Sequence, residues 1–233
     1  MVACFLYLIL SYDFMSNSYW ESFKEQNKDS WHFDPSAKSE DLVYVGRLKT
    51  DFKPLLDLMS DDKNYKKYVI VEKIKEHSVL SDRIKAFNEW GYNENNTRSL
   101  QITDSEFPEI FEPYKKFAGF GDCKVVALKQ YPGQFLPWHE DTYVGFRQEF
   151  NVPDDVKVTR YSIFLEDWHW GHYFAAGNNV MHQWKQGDIL ELKPKMHHTT
   201  CNSGIIPKLT LTITGTITEE FLRKKEDRIF EYQ

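Results

Sequence analysis

The second half of the sequence is constrained by a change in the spacing of its apolar residues. Before Gly119 they recur three and four positions apart over long stretches, as in amphipathic helices, and after it they alternate with polar residues. In "KLTLTITGTI" (208–217), leucine and isoleucine occupy one face of the predicted strand, and lysine and threonine occupy the other. The stretches "KVVALKQY", "VTRYSIFLED" and "GDILELKP" have the same character. Short alternating strands separated by Gly, Pro, Asn and Asp predict an antiparallel sandwich or barrel.

The first half of the sequence predicts a supporting region. Residues 16–60 are polar and irregular apart from a strand-like "LVYVGRL", and residues 64–88 have a helical pattern. We therefore divide a single domain into an irregular and helical support region, residues 1–118, and a mainly β core, residues 119–233. This is a mainly β fold with flanking helices, of the α+β class.

Two further helices are predicted from their start signals. One covers Phe107–Phe117, with Asp104 and Ser105 as capping candidates and Pro108 in its first turn. The other is "TEEFLRKKEDRIF", with Thr218 as its cap and acidic residues in its first turn.

The composition narrows the class of function. The 233 residues carry a formal net charge of −6, which argues against a nucleic-acid phosphate binder. Three widely spaced cysteines predict a reduced, cytoplasmic protein without a disulfide framework. The opening "MVACFLYLIL" is too short to span a membrane and lacks a basic segment before it, so neither a membrane anchor nor a signal peptide is expected. Residues 1–14 either pack against the fold or precede a natural start at Met15.

One stretch, "YPGQFLPWHEDTYVGF", carries candidate metal ligands. Residues two apart on a strand project to the same side, so His139 and Asp141 point together. They supply two thirds of a 2-His-1-carboxylate site, the ligand set that suits Fe(II) and leaves coordination positions open. The third ligand must come from a distant strand, and the downstream histidines are His169, His172, His182, His197 and His198.

The sequence around His198 makes this residue the preferred third ligand. A strand and a turn precede it, and Lys208 follows ten residues later on the polar face of the next strand. A buried cation at that position could bind the far carboxylate of a dicarboxylate cosubstrate. His197 competes with His198, but neighbouring strand residues face opposite ways, so both cannot be ligands without a bulge.

With these four residues the second half resembles the Fe(II)/2-oxoglutarate-dependent dioxygenase superfamily. Its pattern is H-x-D, a distant His, and Arg or Lys about ten residues further on; here these are His139, Asp141, His198 and Lys208. The use of lysine and the lead-in "QYPGQFLPWHED" are similar to the prolyl 4-hydroxylase-like branch. The resemblance covers about residues 120–217 and implies a double-stranded β-helix, or jelly-roll, of the cupin-like kind.

The resemblance also implies roles for the site residues. Fe(II) would be bound by the first three residues, and Lys208 would pair with the C5 carboxylate of 2-oxoglutarate. Tyr131 would donate its hydroxyl to that carboxylate, or is a core tyrosine with a satisfied hydroxyl. Arg160 lines the pocket, or is a strand residue with a solvated head. Thr210 and Asn202, the latter four residues after His198, complete the expected cosubstrate group.

Two segments keep alternative interpretations. The aromatic "EDWHWGHYFAAGNN" is either a wall that faces the substrate or a hairpin packed on the barrel rim. The segment "GFRQEFNVPDDVKV" is either a mobile lid over the site or a long surface loop.

The expected activity is that of a hydroxylase that uses Fe(II), 2-oxoglutarate and O2 and releases succinate and CO2. The expected substrate is a peptidyl residue, with proline as the first guess, or an amino-acid-like small molecule; neither nucleic acid nor a membrane is an expected partner. The alternatives are a cupin-type metal-binding protein without 2-oxoglutarate chemistry and a non-catalytic binding module.

Overall fold

The computed structural model of the protein describes residues 42–69, 89, 91–141, 143–177 and 179–227. The predictions for residues 1–41 and for the helical pattern over residues 70–88 fall almost entirely outside this part of the chain. The strands and helices in chain order are β1 (Val43–Arg47), α1 (Lys53–Ser60), a short 3-10 turn (Asp62–Asn64), β2 (Lys66–Val69), β3 (Arg98–Thr103), α2 (Pro108–Phe117), β4 (Cys123–Gln130), β5 (Gln134–His139), α3 (Val144–Phe150), β6 (Val158–Phe164), β7 (His172–Ala176), β8 (Asn179–Met181), β9 (Asp188–Leu192), β10 (His198–Asn202), β11 (Lys208–Thr216) and α4 (Glu219–Asp227).

Strands β4–β11 form a double-stranded β-helix. Of these, β9, β6, β11 and β4 lie side by side in one sheet, and β5, β10, β7 and β8 form the facing sheet. Every strand pair among the described residues is antiparallel. Eight strands in two such sheets, with the chain crossing repeatedly between them, is the jelly-roll arrangement, so the predicted fold class is confirmed.

Strands from the first half extend the larger sheet. β1 pairs with β9 at one edge, and β3 and β2 continue beyond β4 at the other. The helical prediction was wrong for residues 66–69, which form β2, because pairing with β3 outweighs the local helical pattern.

The outer face of the larger sheet packs against α1, α2 and α4. The helices contribute fully buried Leu55, Phe111 and Phe221, and the strands contribute Ile163 and Ile213 among others to the same cluster. Burial of one apolar face explains why the strand sequences alternate, since the opposite face points into the barrel.

The two predicted helix starts differ in outcome. Thr218 caps α4, since its Oγ1 accepts a hydrogen bond of 3.0 Å from the Phe221 backbone N–H. The caps predicted for α2 were wrong: Phe107 is the N-cap residue and its side chain makes no capping bond. Asp104 instead forms an ion pair of 2.6 Å with Lys115, in the last turn of that helix.

The helix α3 and the loop after it pack together and against the start of β6. Phe146 of α3 packs with Tyr143, Val152 and Val158 in a small apolar cluster. The segment predicted as a lid or a loop therefore begins as a packed helix. Within the described residues, no helix is both long enough and apolar enough to span a lipid bilayer.

Candidate metal centre

The strand register brings the two histidines of the candidate site together. His139 ends β5 and His198 begins β10, and the two residues are direct partners across the antiparallel pair. The next paired residues along these strands are Leu136 and Thr200. His139 is three residues from Leu136, whereas His198 is only two residues from Thr200, so the register shifts between the two pairs. β5 thus carries one extra residue, a bulge, immediately before its histidine.

Asp141 joins this pair two residues beyond the end of β5. Ligand atoms of His139, Asp141 and His198 all lie within 4.8 Å of one another. The His198 Nε2 atom is 3.5 Å from Asp141 Oδ2, and the two imidazole centroids are 4.1 Å apart. Among the described residues this is the group of three whose donor atoms meet closely enough to share one metal ion.

Backbone carbonyls orient both imidazoles in the same way. His139 Nδ1 lies 2.7 Å from the carbonyl oxygen of Pro137, and His198 Nδ1 lies 2.9 Å from that of Met196. A ring that donates from Nδ1 keeps the Nε2 lone pair available, which is the usual arrangement of a metal-binding histidine. The donor set and its orientation therefore fit a divalent metal.

The charge state of the three side chains also suits a metal. Burial, reinforced by the neighbouring His198, lowers the pKa of His139 to about 3, and burial lowers the pKa of His198 as well. Burial alone would raise the pKa of Asp141, but Arg160 and the two histidines outweigh it and hold that pKa below its ordinary value. The site thus offers two neutral imidazoles and one carboxylate at neutral pH.

Lys208, at the start of β11, is a buried cation inside the barrel. Its side chain lies on the interior face, and the residue is 2% exposed. Its ammonium donates to the carbonyl oxygens of Tyr173, at 2.8 Å, and Cys201, at 3.1 Å, and to the Thr200 hydroxyl. Among the described residues, no carboxylate accepts a hydrogen bond from this ammonium. Burial lowers the pKa of Lys208 to about 7.

Other residues expected at the cosubstrate are engaged elsewhere. The Tyr131 hydroxyl donates to Asp62 Oδ2 and its ring lies beside the Lys129 ammonium, so its contacts do not support the predicted role. The Asn202 amide donates to the carbonyl oxygens of Gln130 and Ile206 and its Oδ1 accepts from the Gly204 N–H, which organises the turn between β10 and β11.

Thr210 and Arg160 lie on the interior side of the sheet. Thr210 is buried two residues after Lys208, on the same face of β11. Arg160 is no solvated surface residue: its Nη1 atom forms an ion pair of 2.5 Å with Asp141 Oδ2.

The sequence analysis did not identify two polar residues beside Lys208, which are Gln130 and Thr200. Gln130 is the direct strand partner of Lys208 and is 3% exposed, and its Oε1 accepts from the Thr200 hydroxyl at 3.2 Å. The signal was present, since Thr200 is two residues after His198 and so shares its face of β10.

The aromatic segment lies around the β6–β7 connection. The Trp168 indole donates to the carbonyl oxygen of His172, while Trp170 is 82% exposed. His172 Nε2 lies 3.1 Å from the carbonyl oxygen of Ile206, and neither His172 nor His169 belongs to the candidate metal-binding group. The two interpretations each fit part of the segment: Trp168 packs at the start of β7, whereas the Phe174 ring is buried with its centroid 6.4 Å from that of the His198 imidazole.

No family model and no curated protein gives a significant match to the sequence. Solved structures that are similar to the chain include an uncharacterised conserved protein with a double-stranded β-helix domain from Klebsiella pneumoniae, at 23% identity over 40% of this chain and 67% of that one, with a TM-score of 0.30. A cupin-like protein from Thermotoga maritima matches at 14% identity over 56% of this chain and 86% of its own, with a TM-score of 0.32. A predicted oxalate decarboxylase from the same organism matches at 10% identity over 52% and 82%, with a TM-score of 0.33. The fold assignment rests on the strand order and pairing described above.

Proposed function

We propose that the protein is an Fe(II)- and 2-oxoglutarate-dependent oxygenase that hydroxylates a C–H bond of a peptidyl residue, with proline as the first candidate, or of an amino-acid-like molecule. The observation that carries this proposal is the burial of the Lys208 ammonium against Thr200, two residues along β10 from His198 of the candidate 2-His-1-carboxylate group. A metal site alone would suit many activities, whereas a buried cation beside it calls for an anionic ligand.

The position of Lys208 sets the size of that ligand. Its ammonium contacts Thr200, which lies two residues from His198 on the same face of β10. Two residues of an antiparallel strand span about 7 Å. A short dicarboxylate could therefore reach from the metal position to the ammonium. 2-Oxoglutarate has this length, with a 2-oxo acid group at one end for the metal and the C5 carboxylate at the other end for the ammonium.

The chemistry of Lys208 supports the same conclusion. An ammonium removed from water is costly unless it is paired with an anion. Its neutral partners leave its pKa near 7, which indicates that they stabilise the charge poorly. A bound carboxylate would supply the missing counter-charge and restore the ordinary pKa of the lysine.

His139, Asp141 and His198 would hold the iron, with Nε2 of each histidine and one carboxylate oxygen as ligands. When bound, Fe(II) would supply the activation of O2, so that one oxygen atom enters the substrate and the other enters succinate as 2-oxoglutarate loses CO2. The chain's own contribution is to fix the ligands through the Pro137 and Met196 carbonyl oxygens and to anchor the cosubstrate through Lys208.

The test is anaerobic titration of the metal-free protein with Fe(II) and 2-oxoglutarate, followed by visible absorption. We expect a weak band that requires both additions. His198→Ala should abolish it, while His197→Ala, a change at the neighbouring residue outside the metal group, should leave it. Loss of the band in His197→Ala alone would show that the ligand assignment is wrong.

A cupin-type metal protein without 2-oxoglutarate chemistry is the second candidate. It is favoured by the engagement of Tyr131 and Asn202 with other groups and by the three neutral acceptors already around Lys208. The same titration separates the two: metal binding with no response to 2-oxoglutarate, and no succinate release with any candidate peptide or amino acid, would favour the second.

A further inference from the structure

Arg160 on β6 contacts the metal-binding group through its guanidinium. Nη1 forms the ion pair with Asp141 Oδ2, and Nε donates to the Thr214 hydroxyl at 2.8 Å. The guanidinium carbon lies 5.3 Å from the centroid of the Tyr143 ring. One planar group is therefore held by three side chains at the same time.

The partners of Arg160 are themselves fixed. Thr214 is its direct partner across the β6–β11 pair. Tyr143 has a left-handed backbone conformation, with φ 57°, which is uncommon for an aromatic residue, and its hydroxyl donates to the Leu192 carbonyl oxygen at 3.0 Å. The guanidinium is thus tied to β11 and, through Tyr143, to β9.

Asp141 needs such support more than the two histidines do. Each imidazole is oriented by a carbonyl two residues earlier in its own chain segment. Asp141 lies beyond the end of β5, outside the strand ladder. Among the residues that the structure describes, Arg160 is the group that forms an ion pair with its carboxylate at hydrogen-bond distance.

We propose that Arg160 is a positioning residue that fixes the Asp141 carboxylate toward the metal, and that it is not a ligand of the cosubstrate. An ionised carboxylate has about four lone-pair sites, so a guanidinium on one of them leaves the others for a metal. The planar fork of arginine suits this role because it can bridge Asp141 and Thr214 together, which a lysine ammonium cannot do with the same geometry. This inference rests on the metal site of the proposed function but not on 2-oxoglutarate.

The test measures Co(II) affinity and the visible spectrum of the Co(II)-loaded protein, without any turnover. Loss of a group that orients a ligand typically weakens metal binding about 10–100-fold, and we expect this for Arg160→Met. Arg160→Lys should recover part of the affinity. Thr214→Val, which keeps the ion pair but removes the second anchor, should weaken binding less than Arg160→Met and change the spectrum in the same direction.

Arg147→Met is the matched control. Arg147 lies on α3 and its guanidinium contacts the carbonyl oxygens of Pro153 and Val156, so its loss should affect folding stability but leave the Co(II) affinity and spectrum unchanged. Thr214→Val keeps the test decisive if Arg160→Met does not fold.

The outcomes separate this inference from the proposed function. Absence of Co(II) binding in the wild type would overturn both. If the wild type binds Co(II) and Arg160→Met has the same affinity and spectrum, only the role of Arg160 is overturned. If Arg160→Met does not fold, the same result in Thr214→Val overturns that role. Tighter binding in Arg160→Met would also overturn it, since the guanidinium would then compete with the metal for Asp141.

Discussion

The two faces of β11 show how one strand serves two purposes. Leu211 and Ile213 point outward and are fully buried against the helices. Lys208 and Thr214, on the other face, point into the barrel and contact the groups of the candidate site. The outer face stabilises the fold through apolar burial, whereas the inner face holds polar groups whose burial costs stability. The fold and the site can therefore be perturbed separately, on the same strand.

The largest effect is expected on the outer face. Ile213→Ala should lower the free energy of unfolding by about 2–5 kcal/mol, because it removes buried methyl groups and leaves a cavity. Chemical denaturation would measure this change. Metal affinity of the folded variant should be unchanged; a parallel loss of metal binding would show that the two faces are not independent.

The inner face should respond in the opposite direction. Lys208→Met should raise the free energy of unfolding of the metal-free protein by about 1–4 kcal/mol at pH 6, because it replaces a buried cation without an acidic partner by an apolar chain of similar length. This gain in the free energy of unfolding should shrink as the pH rises above 7. Burial lowers the pKa of Lys208 in the folded wild type to about 7, so above that pH the folded protein holds a neutral amine and the cost of burying a charge falls. The same variant should lose 2-oxoglutarate binding, and a destabilised variant would contradict the assignment of Lys208 as a functional rather than a structural cation.

A smaller effect should appear in the pH dependence of 2-oxoglutarate binding. Between pH 7 and 9 the affinity should fall by up to about tenfold per pH unit, since the anion must bind the protonated lysine. The titratable neighbours do not interfere, because burial raises the pKa of Cys201 and lowers that of His172, which places both outside this window. Calorimetry with Mn(II)-loaded protein would measure it, since water bound to Zn(II) itself titrates near pH 7, and a flat profile would indicate that Lys208 is not the anion site.

The sequence predicted the second half of the molecule well because its information is local. Alternation follows directly from the burial of one strand face, so the strands around Lys208 and Arg160 were recognisable. The three candidate metal ligands could be proposed because their spacing and their strand setting are both visible in the sequence.

Other features depended on contacts that no local pattern contains. Residues 66–69 read as helix and form a strand because β3 is there to pair with them. The capping candidate Asp104 is instead paired with Lys115, and Tyr131 with Asp62, which comes from the first half of the chain. The role of Arg160 depends on Asp141 and Tyr143, which approach it only in the folded barrel.

The bulge in β5 bears on how related chains should be compared. Counting alternate positions from Leu136 would assign the place opposite His198 to Trp138, and the extra residue transfers that place to His139. A homologue with one residue fewer in this strand would need a gap in any alignment, yet its imidazole would stand in the same place. Gap-free comparison of the two would match that histidine to an indole and wrongly score the site as lost.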